Sequence, residues 1–456
     1  MTADFADTVL AHGVGGSTDL PVPLSYALIG AAWALALTFA VVAVAWRTPR
    51  FDPAKPGHPL PKWVSDAVDS PAIRWIAALA ALVFTAWVLV AAMWGPQGSG
   101  NALPGVFYVL LWVGLAAISV VVGPIWRAIS PVRTISRLLG VSRGHRAAGD
   151  ARRKYPANFG YWPAVLGLFA FVWLELASPD PGSLTAIKIW ILAYAVAMLL
   201  GAAVFGSIWF ARADPFEVYS VTVSRLAPLR RNRATGRIVV GNPLDHLPTM
   251  PVRAGTVAVM AVLLGSTAFD SFSQSRTFRD FVDGNAATVP FFGDHGGAAV
   301  LRTAVLLLFV VIVGVTFSGA ARATSGVSRE QRRELPGRLA HCLIPIVVGY
   351  IFAHYLSYLV ERGQETIVRL ADPLGKGWQL LALDPGDVQY FLSQNPTLLW
   401  TIKVGCVVVG HLVGVIAAHD RALRLLPVGH QLVGQLAMML TMVAYTLTGL
   451  YLLFGG

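Results

Sequence analysis

Ten apolar stretches, each about 20 residues long, recur along this sequence and constrain its fold more than any other feature. About 20 helical residues cross the hydrocarbon core of a bilayer, and lipid requires every backbone polar group to find a partner within the chain. The sequence therefore predicts an all-α, polytopic membrane helix bundle. The ten predicted spans are 24–46, 72–94, 105–126, 159–178, 184–209, 253–270, 298–319, 339–360, 397–418 and 432–454.

The composition is that of a chain that lies almost wholly in a membrane. Only 13% of the residues are charged, whereas a soluble globular protein has roughly a quarter. The longest connection, 210–252, is short for an independent domain, so we expect residues 1–456 to form a single membrane domain with residues 1–23 as an outer N-terminal tail. Both cysteines fall within spans and provide no disulfide framework.

The lysines and arginines predict the orientation of the bundle. Of the 35 basic residues, 26 fall in alternate connections, and the opposite connections hold only 5. The basic connections are 47–71, 127–158, 210–252 with Arg253, 320–338 and 419–431. An excess of Lys and Arg marks the cytoplasmic side, so we expect both termini outside a plasma membrane.

The net charge of +11 is explained by this topology. Attraction to anionic lipid is a secondary effect, and the bilayer is the expected partner, with no nucleic acid. Residues 127–140 and 215–229 mix apolar and basic residues, a pattern typical of short amphipathic helices at a membrane interface. We expect these two segments to lie flat as structural anchors against headgroups.

Ionisable residues inside the spans are concentrated in one leaflet. At about 1.5 Å of depth per residue, seven such groups on six helices fall in the outer half: Glu175, Lys188, Asp270, Arg302, His354, Glu361 and Lys403. A charged group in lipid is costly unless it is paired or faces a water-filled cavity, so such groups mark functional sites. We expect an outward-facing, water-accessible polar pocket.

Span eight carries the most specific pattern. His354, Tyr358 and Glu361 are spaced i, i+4, i+7 and would share one helical face. This stripe suits metal ligation or acid–base chemistry, because imidazole titrates near neutral pH and a carboxylate can orient it. The alternative is that His354 bonds a neighbouring carbonyl and that Glu361 is merely interfacial.

Asp270 ends span six among hydroxyl residues. It could be a ligand, a general base, a partner for Arg302 or a simple helix-end carboxylate. Glu175 and Lys188 flank a short outer turn, and we expect an ion pair between them.

His411 on span nine stands among small residues. Gly410 and Gly414 flank it, and such small residues let helix backbones approach closely. We expect His411 to lie at a helix–helix contact.

Several segments together resemble a known family. They are AHGVGGSTDLPVPL (11–24), GPIWRAISPVRT (123–134), ADPFEVYS (213–220), GSTAFDSFS (265–273), AHYLSYLVERGQ (353–364), ADPLGKGW (371–378) and GHLVGVIAAHDRAL (410–423). These segments resemble the multi-pass membrane proteins of actinobacteria that are commonly labelled fenitrothion hydrolase. The resemblance covers nearly the whole chain and implies a membrane-held hydrolase of organophosphate-type esters.

Such a hydrolase would use a metal to polarise the phosphoryl oxygen and to lower the pKa of water. The candidate ligands of a divalent metal, zinc or copper, are His12, Asp270, His354 and Glu361, and the last three are also the candidate catalytic residues. The supporting polar residues of the pocket are Asp19, Glu175, Lys188, Arg302, Tyr358 and Lys403. Arg302 or Lys403 would lie near developing charge.

Two other classes of function stay open. The pocket could be the vestibule of a transporter or channel for a metal ion, a proton or a small anion, with His411 and His341 continuing the path inward. The chain could also be a non-catalytic subunit whose pocket receives a membrane partner, and a homo-oligomer is equally open. The sequence contains no P-loop, nucleotide-binding GxGxxG, HExxH or GxSxG motif.

Overall fold

The computed structural model describes residues 23–141, 153–232, 234–289, 293–324, 326–378, 380 and 382–454. Within these ranges ten helices are long and apolar enough to cross a membrane, which confirms the all-α, multi-pass architecture. We number them spans one to ten: Leu24–Ala45, Pro71–Trp94, Gly105–Val122, Ala157–Leu176, Leu184–Phe205, Thr256–Ser273, His295–Arg322, Arg329–Ala371, Pro396–Leu425 and Val433–Phe454.

Three spans are not uniform α-helix. Span three is a π-helix, Gly105–Gly114, followed by the α-helix Leu115–Val122. Span four is a 3-10 turn, Ala157–Phe159, followed by the α-helix Trp162–Leu176. Span eight has five parts: Arg329–Leu339 (α), Ala340–Leu343 (3-10), Ile344–Ser357 (α), Tyr358–Arg362 (π) and Gly363–Ala371 (α). A π-turn changes which side chains share a helical face.

Shorter elements connect the spans. The α-helices are Lys62–Asp69, Trp126–Ile129, Pro131–Leu138, Ser207–Ala213, Pro215–Val223, Pro243–His246, Arg276–Asn285 and Phe391–Gln394, and the 3-10 turns are Ser224–Leu226, Leu247–Thr249, Ala286–Thr288 and Pro385–Asp387. The sequence correctly predicts helix within 127–140 and 215–229. However, the helix Pro215–Val223 is buried within the protein, where Tyr219 stacks on Trp112 of span three at 4.7 Å. It therefore does not lie flat against headgroups.

A three-stranded antiparallel sheet, which the sequence did not predict, joins two basic connections. Its strands are β1 (His58–Pro59), β2 (Leu229–Arg231) and β3 (Ile238–Val240), in the order β1-β3-β2. The register pairs His58 with Val240 and Arg230 with Val239. The sheet ties the connection after span one to the connection after span five.

The basic connections meet on one face of the bundle, which we call the basic face. Arg231 pairs with Asp69 at 2.8 Å across two connections. Arg127, after span three, pairs with Glu217 at 2.9 Å. The indole of Trp46 donates to Asp420 at the end of span nine. These contacts agree with the alternation that the charge pattern predicted.

Spans six and eight form the centre of the bundle. Of the residues in their most apolar windows 72% are buried, compared with 17% in spans one and seven. Spans eight and nine pack closely through glycines, since a Cβ on Gly349 would lie 2.4 Å from the Cys406 carbonyl oxygen and one on Gly410 would lie 2.6 Å from that of Pro345. The predicted small-residue contact around His411 is therefore confirmed.

Candidate functional site

The best-defined polar site joins the two central spans. Asp270 Oδ2 lies 3.0 Å from Nε2 of His354 and 2.7 Å from the hydroxyl of Tyr355. The exposed fractions of these residues are 0, 4 and 2%. A carboxylate and an imidazole are therefore held together in the interior of the bundle, away from both lipid and water.

Hydrogen bonds extend from both nitrogens of the His354 ring. An ionised carboxylate only accepts, so His354 donates from Nε2 to Asp270 and its Nδ1 is left as an acceptor. Nδ1 lies 3.3 Å from the Ser271 hydroxyl, which lies 3.0 Å from the Tyr350 hydroxyl. The Tyr350 hydroxyl also donates to the Gly449 carbonyl at 3.4 Å, and either hydroxyl of the Ser271–Tyr350 contact can be its donor. Tyr355 donates to the carboxylate from the other side. We call Asp270, Ser271, Tyr350, His354 and Tyr355 the Asp270–His354 network.

The local sequence of span six explains how Asp270 is held. Gly265 leaves no space for a side chain, because a Cβ there would lie 2.8 Å from the Val310 Cα of span seven. The Thr267 hydroxyl is satisfied by the Leu263 carbonyl at 2.8 Å. Close packing on span seven thus fixes span six, and Asp270 and Ser271 present consecutive polar groups to span eight.

A second polar cluster lies around Tyr358, which we call the Glu175 cavity. The cavity of about 70 Å³ is lined by Tyr108, Glu175, Tyr358, Arg362 and Glu365, among others. This volume is large enough for several water molecules. The ring of Tyr358 in the lining lies 6.4 Å from the ring of Tyr355, so the cavity adjoins the Asp270–His354 network.

The predicted stripe on span eight is divided among three places. His354 bonds Asp270, and Tyr358 lines the Glu175 cavity. Glu361 accepts from the backbone N–H of Ser393 at 2.8 Å and from its hydroxyl at 2.6 Å. The π-helix Tyr358–Arg362 changes the turn at this point, and Glu361 holds a connecting helix rather than joining His354.

The supporting residues do not all converge. Lys188 donates to the Ala92 carbonyl at 3.3 Å. Lys188 and Glu175 both lie in the described part of the chain, and the ion pair expected between them is not formed. Arg302 lines a separate cavity with His295, whereas Asp270 is hydrogen-bonded to His354 and Tyr355 of span eight. Lys403 is buried in span nine.

The proposed metal ligands are only partly brought together. Asp270 and His354 are in contact, whereas both oxygens of Glu361 are engaged by Ser393. His12 and Asp19 lie outside the described residues. Across the described ranges no group of three or more His, Cys, Asp or Glu side chains is arranged to hold a metal ion. The described chain therefore offers two ligands, which are hydrogen-bonded to each other.

Two further histidines lie towards the basic face. His411 donates from Nδ1 to the Val407 carbonyl at 2.8 Å, and its buried Nε2 has no hydrogen-bond partner among the described residues. His341 is buried beside Cys342, with Nε2 3.6 Å from the Cys342 sulfur. Both imidazoles are inside the bundle rather than on its surface.

A buried carboxylate also organises the basic face. Asp214 accepts from the Trp126 indole at 2.9 Å and from the backbone N–H of Phe216 at 3.0 Å, which caps the helix Pro215–Val223. Burial, together with the nearby charge of Glu217, raises the pKa of Asp214 to about 6 against the lowering effects of its hydrogen bonds and of Arg133.

Three members of the Asp270–His354 network were not among the predicted site residues: Ser271, Tyr350 and Tyr355. Ser271 and Tyr355 directly follow Asp270 and His354 in the sequence, and that adjacency was the available signal. Tyr350 carries no such signal, because only the packing of spans six and eight brings its hydroxyl to Ser271.

The fold and the site define a polytopic α-helical membrane protein with a buried acid–base network. No model of a known protein family, no curated protein and no solved structure matches this chain.

Proposed function

We propose that this protein moves protons across a membrane, alone or coupled to another solute, through the Asp270–His354 network. The observation that supports this proposal most is the buried Asp–His pair, which Ser271 and Tyr350 extend through hydroxyl groups. Membrane proteins build proton relays from carboxylates and imidazoles inside the bundle. Imidazole is the side chain whose ordinary pKa lies closest to neutral pH.

The spacing of the acid–base groups along span eight supports a path through the bilayer. Glu361 and His341 are separated by about 30 Å at the rise of an α-helix, which is the thickness of the hydrocarbon core. His354 and Tyr350 lie between them. His411 of span nine fills the interval towards His341, because the neighbouring Gly410 packs on Pro345 and Gly349.

The expected entrance is the Glu175 cavity. It is large enough for several water molecules, its lining residue Tyr358 lies beside Tyr355, and it lies on the face opposite the basic connections. With the basic face towards the cytoplasm of a plasma membrane, a proton enters from outside, reaches Asp270 through Tyr355 and leaves through the imidazoles of the inner half.

Proton flux in proteoliposomes tests the proposal. A pH-sensitive dye is enclosed with the purified protein, and an imposed potassium gradient with valinomycin drives proton entry. We expect flux well above that of empty liposomes, reduced at least about tenfold by Asp270→Asn, which removes the charge and retains an oxygen acceptor. Asp280→Asn is the matched control, because that carboxylate is 70% exposed. Wild-type flux equal to that of empty liposomes contradicts the proposal.

An ester hydrolase is the second candidate function. Ser271, His354 and Asp270 are hydrogen-bonded in the order of nucleophile, base and orienting carboxylate, an arrangement that activates serine in hydrolases. The resemblance to the proteins labelled fenitrothion hydrolase favours organophosphate-type esters as substrates. This candidate requires turnover in detergent without any gradient, and loss of that turnover in Ser271→Ala.

A metal-dependent form of the hydrolase would use Asp270 and His354 as ligands of zinc or copper. Mass spectrometry of metal content in the purified protein tests this form, with the Asp270→Ala, His354→Ala double variant beside it. Near-stoichiometric metal that the double variant loses would support it. Equal metal content in both proteins would contradict these two residues as ligands.

A further inference from the structure

A large apolar cavity lies between spans two, three and five, remote from the Asp270–His354 network. Its volume is about 260 Å³, and Phe84, Leu89 and Ile118 are among its lining residues. These three side chains are 43, 38 and 49% exposed, so the cavity opens sideways. Because the three helices are membrane spans, that opening faces the acyl chains of lipid.

The lining has few polar side chains, and two of them are already engaged, whereas the Tyr194 hydroxyl has no hydrogen-bond partner among the described residues. The Thr85 hydroxyl donates to the Ala81 carbonyl of its own helix at 2.8 Å. The Trp126 indole donates to Asp214 at 2.9 Å. A polar ligand would therefore find few hydrogen-bond partners inside, whereas an apolar chain loses nothing by entering.

The length of the cavity suits an acyl chain. On span three the lining runs from Leu103 to Ile118, which is roughly 20 Å along a helix. One leaflet of the hydrocarbon core is about 15 Å thick. A single acyl chain of a phospholipid therefore fits along the cavity.

Arginines surround the end of the cavity at the basic face. The helix Pro131–Leu138 places Val132 in the lining and also carries Arg133 and Arg137. Arg133 is paired with Glu217. The guanidinium of Arg137 makes no hydrogen bond or ion pair to any residue in the described ranges, and the charges of Arg74 and Arg133 act on it.

The surroundings of Arg137 favour an anion. Burial lowers the pKa of Arg137, and the charges of Arg133 and Arg74 lower it further, against the opposing effect of Glu217. Arg74 is paired with Asp69 at 2.6 Å and Arg133 with Glu217, so Arg137 is the guanidinium group that an anionic group placed here would neutralise. Anionic headgroups are attracted to such basic clusters beside membrane spans.

We infer that this cavity with its arginines is a binding site for an anionic phospholipid. One acyl chain occupies the space between spans two, three and five, and the phosphate lies beside Arg137 and Arg74. The site is distinct from the proposed proton path, so its test does not depend on that function.

Native mass spectrometry of the full chain in detergent tests this site. Delipidated protein is mixed with dioleoyl phosphatidylglycerol or dioleoyl phosphatidylcholine, and the retained lipid is counted. We expect preferential retention of phosphatidylglycerol, reduced roughly tenfold or more by the double variant Arg74→Gln, Arg137→Gln, at about a severalfold loss per arginine. The matched control is Arg276→Gln, Arg279→Gln, on the exposed helix Arg276–Asn285.

A second variant tests the apolar part of the site. Ala195→Phe fills the cavity from span five, and we expect it to lower retention of both lipids without changing the preference between them. Equal retention of the two lipids by the wild-type protein overturns the inference. So does a loss in the Arg276, Arg279 control as large as that in the Arg74, Arg137 variant.

Discussion

His354 Nε2 and Asp270 Oδ2 lie 3.0 Å apart between two central helices, with side chains 4% and 1% exposed. Each of these residues interrupts an apolar stretch, and each offsets part of the cost of burying the other. The fold therefore holds the two residues together as a unit. Variants of the pair and of its neighbours distinguish a stabilising role from a functional one.

Truncating the side chain of Asp270 should destabilise the protein far more than neutralising its charge. Asp270→Ala leaves the donors of His354 and Tyr355 buried without their acceptor, which should destabilise the protein by about 3–5 kcal/mol. Asp270→Asn keeps an oxygen acceptor and should cost less. Thermal unfolding in detergent measures both, and equal stability of the two variants would show that the carboxylate is not an essential acceptor.

Ser271 distinguishes relay from hydrolase. Ser271→Ala removes the hydroxyl between His354 and Tyr350, so we expect slower proton flux in this variant. If the protein is a proton relay, the wild-type protein should show no ester turnover either. The matched control is Ser273→Ala, because the Ser273 hydroxyl donates to the Asp270 backbone carbonyl at 2.7 Å rather than to a side chain of the Asp270–His354 network. Ester turnover that disappears in Ser271→Ala would instead favour the hydrolase.

Two glycines on span nine should respond oppositely to alanine. A Cβ on Gly410 would lie 2.6 Å from the Pro345 carbonyl oxygen, whereas one on Gly405 meets nothing within 4 Å. Gly410→Ala should destabilise the bundle by about 1–3 kcal/mol through overpacking. Gly405→Ala should stabilise it by about 0.5–1 kcal/mol through helix propensity. Thermal unfolding checks this pair, and a neutral Gly410→Ala would contradict the close approach of spans eight and nine.

Asp214 should make the stability depend on pH. Burial raises its pKa from 3.8 to about 6 in the folded protein, so the folded state binds the proton more tightly than the unfolded chain. The resulting stability is present below about pH 4 and is lost as the pH rises through about 6, a change of about 3 kcal/mol.

The variant Asp214→Asn isolates this contribution. It keeps the helix cap and loses the bond with the Trp126 indole, so its melting temperature will be lower overall, but its dependence on pH between 4.5 and 7 should be weaker. Parallel pH dependence in both proteins would show that Asp214 does not titrate in this range.

The spans could be predicted from sequence because membrane crossing depends on a one-dimensional property, the length of an apolar run. Asp270 and His354 could be singled out in the same way, since an ionisable residue inside such a run is rare and costly. The sheet formed by β1, β2 and β3 could not be predicted from the sequence. Its strands are two or three residues long and show no detectable alternation of apolar and polar residues.

The sequence could not predict whether the proposed site residues meet at one place in the bundle. Depth along a helix follows from residue number, but rotation about the axis does not, and the π-helix Tyr358–Arg362 changes it within span eight. Glu361 therefore turns to Ser393 while His354 turns to Asp270. Lys188 and Arg302 are predicted to lie at a depth similar to that of Asp270. However, Lys188 bonds the Ala92 carbonyl, and Arg302 lines a separate cavity.

By itself, the sequence determined that this chain is a ten-span membrane bundle, and it predicted that the ionisable residues of the spans lie mostly in one half of the membrane, because hydrophobicity and charge are properties of each residue. Only the tertiary structure decided that Asp270 meets His354, Tyr355 and, through Ser271, Tyr350. Partner choice depends on how helices rotate and pack, and the close contacts at Gly265 and Gly410 set that packing.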